Sequence, residues 1–553
     1  MVVGAKVTIQ TVPCKGRTSI IKLHSLTVKR RNPALKIIYG SLILVIGLII
    51  VFINPIELIS DWVLVVKEDS YLYKLWETPP YQLFTEVWVF NYTNVPQFLA
   101  GKDAVLKVEE VGPFVYQETR TNINISVDYE RGVMRMVPRT SLSFLKDLSV
   151  GDTKEVNITV PNIALLAVST LLADKLGYIA NLGAYYSINA LGSKLFRNLT
   201  VEELLWGYED RIITIGNKLL PAWIDFEKIG ILDRFYAPKN DEVEVEIANE
   251  DNKFSIVSWN DSPGIPEQGF TSLETSKPCN RVQGTYEGLM LAPNWNKSRD
   301  IAVFRRQACR VFPLSYEAEL KHRYGFNYYR FTMTDNAFTN SSLYACNCKS
   351  SCLPDGFVDV SNCYYGFPIS LSKPHFLDTD PVQTSHYEGL KPDPERHVST
   401  LDLEPTMGIP LAFKSMFQVN VAVRMNAGNT VTMLLKDKIV PIMWISLHCE
   451  EPPQVNLNLL WVRLVLAPPL IIIIEACLLF SGFVLTVSGC YRFFKPRYTI
   501  SEPNEDQETF LSSPSAFGIA RYEGDLFTKE AISMLTLKKQ ELVMDLPRSY
   551  SDT

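Results

Sequence analysis

No short motif in this sequence carries the machinery of catalysis. A G-x-S-x-G nucleophile elbow, an H-E-x-x-H metal helix and a phosphate-cradling glycine loop are all missing. The chain is therefore expected not to be an enzyme, and to need no cofactor and no metal. His375, in Pro374-His375-Phe376, has Ser370 and Ser372 nearby, but no base-and-nucleophile pattern surrounds it, and it reads as a structural histidine. Charge of one sign is also missing at the start. Residues 1–36 hold eight Lys or Arg and no Asp or Glu, and residues 37–53, IIYGSLILVIGLIIVFI, hold no charge at all. No small-residue cleavage site follows that run, and 36 residues precede it, so an uncleaved signal anchor is expected there in preference to a removable signal peptide.

What is present completes a topology. A second apolar block covers 464–489, with Glu475 as its single charge. About 20 apolar residues cross a bilayer as a helix, so membrane helices are expected over 37–56 and 464–489. Arg492, Lys495 and Arg497 follow the second block. Basic residues thus flank both helices on one side, which the positive-inside rule places in the cytosol. Seven N-x-S/T sequons lie at Asn91, Asn124, Asn157, Asn198, Asn260, Asn296 and Asn340, all between the two blocks. Glycosylation uses such sites only outside the cytosol. The expected order is a cytosolic tail (1–36), an extracellular or lumenal portion (57–463) and a second cytosolic tail (490–553). Pro468 and Pro469 should kink or start the second helix. Cys490 and Cys14 are placed for palmitoylation.

The exported portion holds seven of the ten cysteines. Six of them, Cys279, Cys309, Cys346, Cys348, Cys352 and Cys363, cluster within 85 residues and read as a disulfide framework in an oxidising compartment. Six cysteines allow about 15 pairings, which spacing alone leaves open, and Cys449 is the odd member. Zinc at Cys346-x-Cys348-x3-Cys352 lacks a matching histidine spacing. The same portion carries 49 acidic and 38 basic residues, which argues against nucleic acid as a partner.

Segments rich in β-branched and aromatic residues dominate the exported portion. Strands are expected at 82–91, 105–109, 242–247, 253–258, 328–333 and 417–424. Residues 163–191 break the pattern with a helical period and only Asp174 and Lys175 charged, and Thr200 with Glu203 three residues on signals a capped helix start. So apolar an insert either buries itself as a bundle or leaves one face for a ligand. Capture of an amphiphile there would fall to Lys175 and Lys194 for an anionic head group, with Leu172, Tyr178 and Tyr185 giving apolar contact. The plainer reading is that both lysines are solvated.

Five segments carry a resemblance: Glu110-Val-Gly-Pro-Phe-Val-Tyr116, Glu203-Leu-Leu-Trp-Gly-Tyr208, Pro374-His-Phe-Leu-Asp-Thr-Asp-Pro381, Leu401-Asp-Leu-Glu-Pro-Thr-Met-Gly408 and Val440-Pro-Ile-Met-Trp444. In this order, with two single cysteines, a Cys-x-Cys and two more, between two membrane helices, the chain resembles the CD36 (class B scavenger receptor) family. The resemblance implies a mainly β fold: an antiparallel β-barrel ectodomain with an apical helical bundle over 161–208 and a tunnel that passes lipid toward the bilayer. It implies disulfides Cys279–Cys346, Cys309–Cys363 and Cys348–Cys352; the last closes a shorter ring than the family pattern. Partners would be lipids, fatty acids, sterols or lipoproteins, with a homo-oligomer possible, at the plasma membrane or in lysosomal or endosomal membranes. Two other functions share the topology. One is a lysosomal sorting or adhesion receptor gripping a protein, for which Glu530–Leu535 faintly resembles a dileucine signal. The other is a two-helix ion channel with Glu475 in its pore.

Overall fold

The computed structural model describes residues 9–12, 20–23, 33–175, 183, 185, 186, 188, 190–219, 221, 222, 224–339, 343–346, 352–424, 432–449 and 451–495. The N-terminal strands Ile9–Val12 and Ile20–Leu23 pair antiparallel as a small hairpin.

Eleven strands form the path of one large sheet: β1 (Leu83–Tyr92), β2 (Leu106–Asp128), β3 (Val133–Phe144), β4 (Val243–Glu246), β5 (Ile256–Trp259), β6 (Ile301–Arg305), β7 (Arg310–Lys321), β8 (Asn327–Met333), β9 (Thr400–Glu404), β10 (Ile409–Ala422) and β11 (Ile439–Cys449). Their spatial order is β5-β4-β3-β2-β1-β11-β10-β9-β8-β7-β6. Two meanders thus meet where β1 pairs antiparallel with β11, and every other neighbour is also a neighbour in sequence. Ile369–Ser372 adds to β10, and Tyr387–Glu388 adds in parallel to β2.

The expected closed barrel is not found. The path ends on β5 and β6, and among the described residues no ladder joins them. A short irregular stretch stands in that gap instead. Ile256 N–H donates to Thr285 O (2.7 Å) on one side, and Tyr286 N–H donates to Ala302 O (2.9 Å) on the other. Gly284 and Gly288 bracket it at φ +80° and +88°, conformations that turn the chain every few residues and leave no room for a strand. The ends are bridged residue by residue, without a continuous ladder.

Inside, the largest apolar cluster joins the inner faces of β1, β2, β10 and β11 to short helices. Ile163–Lys175 buries Ala164, Leu166 and Ala167, and Val201–Trp206 buries Val201, Leu204 and Leu205. Each buried Leu is worth roughly 2 kcal/mol. The second helix opens on the expected capping box: Thr200 Oγ1 accepts from Glu203 N–H (3.2 Å), and Glu203 accepts from Thr200 N–H (2.8 Å). Ile163–Lys175 packs on Arg211–Leu219, and Val201–Trp206 on Ile231–Phe235.

Two helices are long and apolar enough to cross a membrane: Pro33–Ile53, of 21 residues, and Gln454–Phe494, of 41. At 1.5 Å per residue, the shorter one matches a hydrocarbon core of about 30 Å. They touch backbone to backbone. A Cβ on Gly40 would lie 2.5 Å from Thr486 Oγ1, and one on Gly482 would lie 2.8 Å from Leu44 N, so only glycine fits at either place. Pro468 and Pro469 fall in the first turn of the α-helical stretch Ala467–Phe494. A π-turn, Val462–Leu466, precedes them, and the helix runs on through both prolines. At the base of the sheet, Pro55–Val63 exposes Leu58, Ile59 and Trp62, while its buried Ser60 accepts from Arg463 Nε (2.5 Å). Apolar and indole side chains at this level suit the bilayer interface.

Candidate functional site

The sheet curls enough for strands distant in its order to share cavities. One, of about 20 Å3, is lined by Leu83 of β1, Glu118 and Arg120 of β2, Arg305 of β6, Phe413 of β10, and Leu447 and Cys449 of β11. A second, of about 30 Å3, shares Gly288, Arg305 and Phe413 with the first. Under the helices lies a third, of about 50 Å3, walled by Ile163, Phe226, Ile231, Val421 and Ile442. The fourth, of about 190 Å3, shares Arg234, Phe235 and Tyr364 with the third and is rimmed by Lys239, Asp241, Glu267 and Arg306. The first two cavities thus adjoin each other, as do the third and fourth, and charged side chains line both pairs.

The inner charge comes from alternation along β2, which turns Tyr116, Glu118, Arg120 and Asn122 to the same side. Glu118 accepts from Thr85 Oγ1 (3.2 Å) and Tyr236 OH (3.1 Å). Burial raises its carboxyl above the usual range, while Arg120 and the two hydroxyls oppose that. Arg120 pairs with Glu287, and its buried Nε has no partner. Arg305 donates to the backbone carbonyl of Glu287 (3.3 Å) and lies over Phe413 (5.3 Å). Burial pulls its guanidinium down to about 10, although part of its surface stays accessible. The two facts agree if that surface faces the cavities instead of bulk water.

A second cluster lies on the same sheet. The indoles of Trp88 and Trp444 stack at 3.8 Å and 5°, with Arg396 over both rings. Glu110 accepts from Trp444 Nε1 (2.8 Å), His375 Nε2 (2.5 Å) and Arg396 Nη2 (3.2 Å). Lys391 N–H donates to His375 Nδ1 (3.1 Å), which puts the ring's own proton on Nε2, toward Glu110. Burial would raise Glu110, but the hydrogen bonds from His375 and Trp444 and the charge of Arg396 hold it at about 2. Glu110, His375 and Trp444 come from three of the segments that carry the resemblance. Through these contacts the cluster joins β1, β2 and β11 to the 374–397 loop.

The capture residues inferred from sequence are only partly brought together. Lys194 is exposed, and its carbonyl accepts from Asn162 Nδ2 (3.1 Å). Leu172 packs half-buried on the main cluster. Tyr185 is half-exposed with its ring against Tyr186 (5.6 Å). Lys175 ends its helix, while Tyr178 lies outside the described residues. The interior cluster of Glu118, Arg120, Glu287 and Arg305 escaped sequence reasoning. Its only signal was charge on the inward side of an alternating strand.

Disulfides join Cys279 to Cys346 and Cys309 to Cys363. Cys352 is disulfide-bonded as well, and Cys348 lies outside the described residues. Cys449 is buried, with Sγ 3.8 Å from Glu451 O. Of the sequon asparagines, Asn124, Asn157, Asn198, Asn260 and Asn296 are exposed, Asn91 is half-buried and accepts from Thr159 N–H (2.9 Å), and Asn340 lies outside the described residues. So does Cys14, whereas Cys490 sits half-exposed near the end of the second membrane helix.

Comparison with known proteins agrees with this architecture. A model of the CD36 family matches residues 38–493. Scavenger receptor class B member 1 of Rattus norvegicus is 29% identical over 520 residues, covering 88% of this chain and 97% of its own length. Lysosome membrane protein 2 of Homo sapiens is 29% identical over 454 residues, covering 80% of this chain and 90% of its own.

Proposed function

The chain belongs to the CD36 family, and from that membership we propose that it is a two-pass membrane receptor that takes lipids, fatty acids, sterols or lipoprotein lipid into its ectodomain and passes them to the bilayer. The observation that supports this reading is a set of small, partly apolar cavities against the sheet, two adjoining at Arg305 and Phe413 and two adjoining at Phe235 and Tyr364. Cys449, which lines one of the first pair, stands five residues before the second membrane helix begins.

The driving force is transfer out of water. Each methylene removed from water gains about 0.8 kcal/mol, and the path needs no bond to be made or broken. Static cavities of 20 to 190 Å3 hold water molecules, not an acyl chain. Side chains such as Phe413 and Phe235 therefore have to move apart as cargo passes. In this reading the helical insert forms the outer capture surface, with Lys175, Lys194, Leu172, Tyr178 and Tyr185, and the exposed sequons carry glycans. Both tails lie in the cytosol.

The relatives leave two addresses, since one is a scavenger receptor and another a lysosome membrane protein. Residence at the plasma membrane fits uptake from outside the cell, and a tagged chain imaged against surface and lysosomal markers decides between them. The test of the reading is mass spectrometry of lipid bound to the full-length purified chain after exchange into a second detergent. Retained lipid near one molecule per chain supports it. A lipid content equal to that of an unrelated two-helix membrane protein refutes it.

A further inference from the structure

The membrane helix Pro33–Ile53 ends abruptly. Asn54 adopts φ +45° and Pro55 follows it, so Pro55–Val63 is a separate helix. The 21 residues of the first helix, at 1.5 Å each, already fill a hydrocarbon core of about 30 Å. Pro55–Val63 therefore begins at the level of the lipid head groups.

Its turns sort the residues into three faces. Leu58, Ile59 and Trp62 share one face and are 58%, 60% and 77% exposed. Glu57 and Asp61, four positions apart, set two exposed carboxylates along its edge. Ser60 points a third way: it is buried and accepts from Arg463 Nε (2.5 Å) of the second membrane helix. That contact fixes the helix about its own axis, so the apolar face cannot turn inward. Around Arg463 the second helix exposes Leu459, Val462 and Leu466. Among the described residues nothing covers either apolar set. A short helix with an apolar face and a charged edge, continuous with a membrane span, fits the boundary between head groups and acyl chains. An indole on that face suits the same depth. Pro55–Val63 holds two acidic residues and no basic one, which disfavours an anionic surface and fits a zwitterionic one.

We propose that Pro55–Val63 docks on the bilayer itself. Leu58, Ile59 and Trp62 sit in the zwitterionic leaflet on the ectodomain side and hold the ectodomain at a fixed height and tilt above it. The proposal goes beyond the uptake reading and does not depend on what the ectodomain carries.

The experiment uses the full-length chain, with fluorotryptophan at every Trp, in phosphatidylcholine nanodiscs. The fluorine NMR line missing from Trp62→Phe belongs to Trp62. Two paramagnetic agents are added separately: phosphatidylcholine carrying a nitroxide near the top of its acyl chain, and a water-soluble gadolinium chelate. The Trp62 line is expected to be lost with the nitroxide lipid and to persist with the chelate. Loss with the chelate overturns the proposal, since the face then stands in water. Persistence with both overturns it too, since a protein surface then covers the face. Leu58→Glu combined with Ile59→Glu is expected to open the Trp62 line to the chelate, with the line of buried Trp76 unmoved as the sign that the fold is kept. A Trp62 line still lost only to the nitroxide lipid in that folded variant shows that the apolar face is not what seats the helix, and overturns the assignment.

Discussion

His375 and His397 stack at 4.8 Å with their planes 16° apart, but only His375 has a partner on its outer nitrogen. His397 is buried, receives Asp393 N–H on Nδ1 (3.1 Å) and leaves Nε2 without a partner. Burial, with the charge of Arg396 beside it, pulls the His397 imidazole down to about 4. An unfolded chain binds this proton near pH 6.5, whereas the folded chain resists it until about 4. The stability contribution is complete above pH 6.5 and is lost as pH falls toward 4. The slope is at most about 1.4 kcal/mol per pH unit. Glu110, held at about 2, adds a loss of the same sign below its unfolded value near 4.5. Thermal unfolding of the full chain should therefore shift down between pH 7 and pH 5, and His397→Gln should flatten that shift. An equal midpoint at both pH values contradicts the assignment.

Glycine contacts between the membrane helices give a second prediction. A Cβ on Gly40 would overlap Thr486, so Gly40→Leu should push the helices apart and cost about 1–3 kcal/mol. The melting temperature in detergent should fall, while Leu42→Ile, at an exposed position on the same helix, should leave it unchanged. Equal melting of Gly40→Leu and the unmodified chain would mean that the helices do not pack at this crossing.

Disulfide loss forms the third. Cys309 and Cys363 close a loop with a sequence separation of 54, a length for which loop-closure entropy gives about 4 kcal/mol. The pair Cys309→Ala, Cys363→Ala should unfold at lower temperature and be retained before reaching its destination membrane. Normal export and melting would show that the bond is dispensable.

Topology makes the fourth. Asn124, Asn157, Asn198 and Asn296 are exposed, and replacing each by Gln should remove one glycan's mass, seen as a faster gel band. Asn91, half-buried with its carbonyl engaged by Thr159, should give a smaller change. No shift in any of the five would place the ectodomain in the cytosol.

The sequence exposed those parts of the fold in which local signals and tertiary needs agree. An uncharged run flanked by lysine and arginine can hardly be anything but a membrane anchor, and the capping box at Thr200 and Glu203 is a self-contained contact. The strand expected over 82–91 appears as Leu83–Tyr92, because its aromatic and β-branched residues fit a pleated surface. By contrast, the expected strand at 105–109 continues to Asp128. Gly112 and Pro113 sit opposite a register shift in β1 between Val87 and Val89, which absorbs them. The β5–β6 gap was illegible, since it depends on which distant edges meet. Arg120 and Arg305 were illegible as a site for the same reason: they are about 185 positions apart, and each alone looks like a solvated surface residue.

The proposed route through the ectodomain is tested most directly by obstructing it. Ile369 is half-buried and lines the cavity beneath the helices, so a larger ring there fills space without replacing a fully buried side chain. Uptake of a fluorescent fatty acid should be measured in cells expressing the unmodified chain or Ile369→Trp at matched levels on the destination membrane. Uptake at least several-fold slower in Ile369→Trp is the expected result; equal uptake would mean that cargo does not travel through the ectodomain interior.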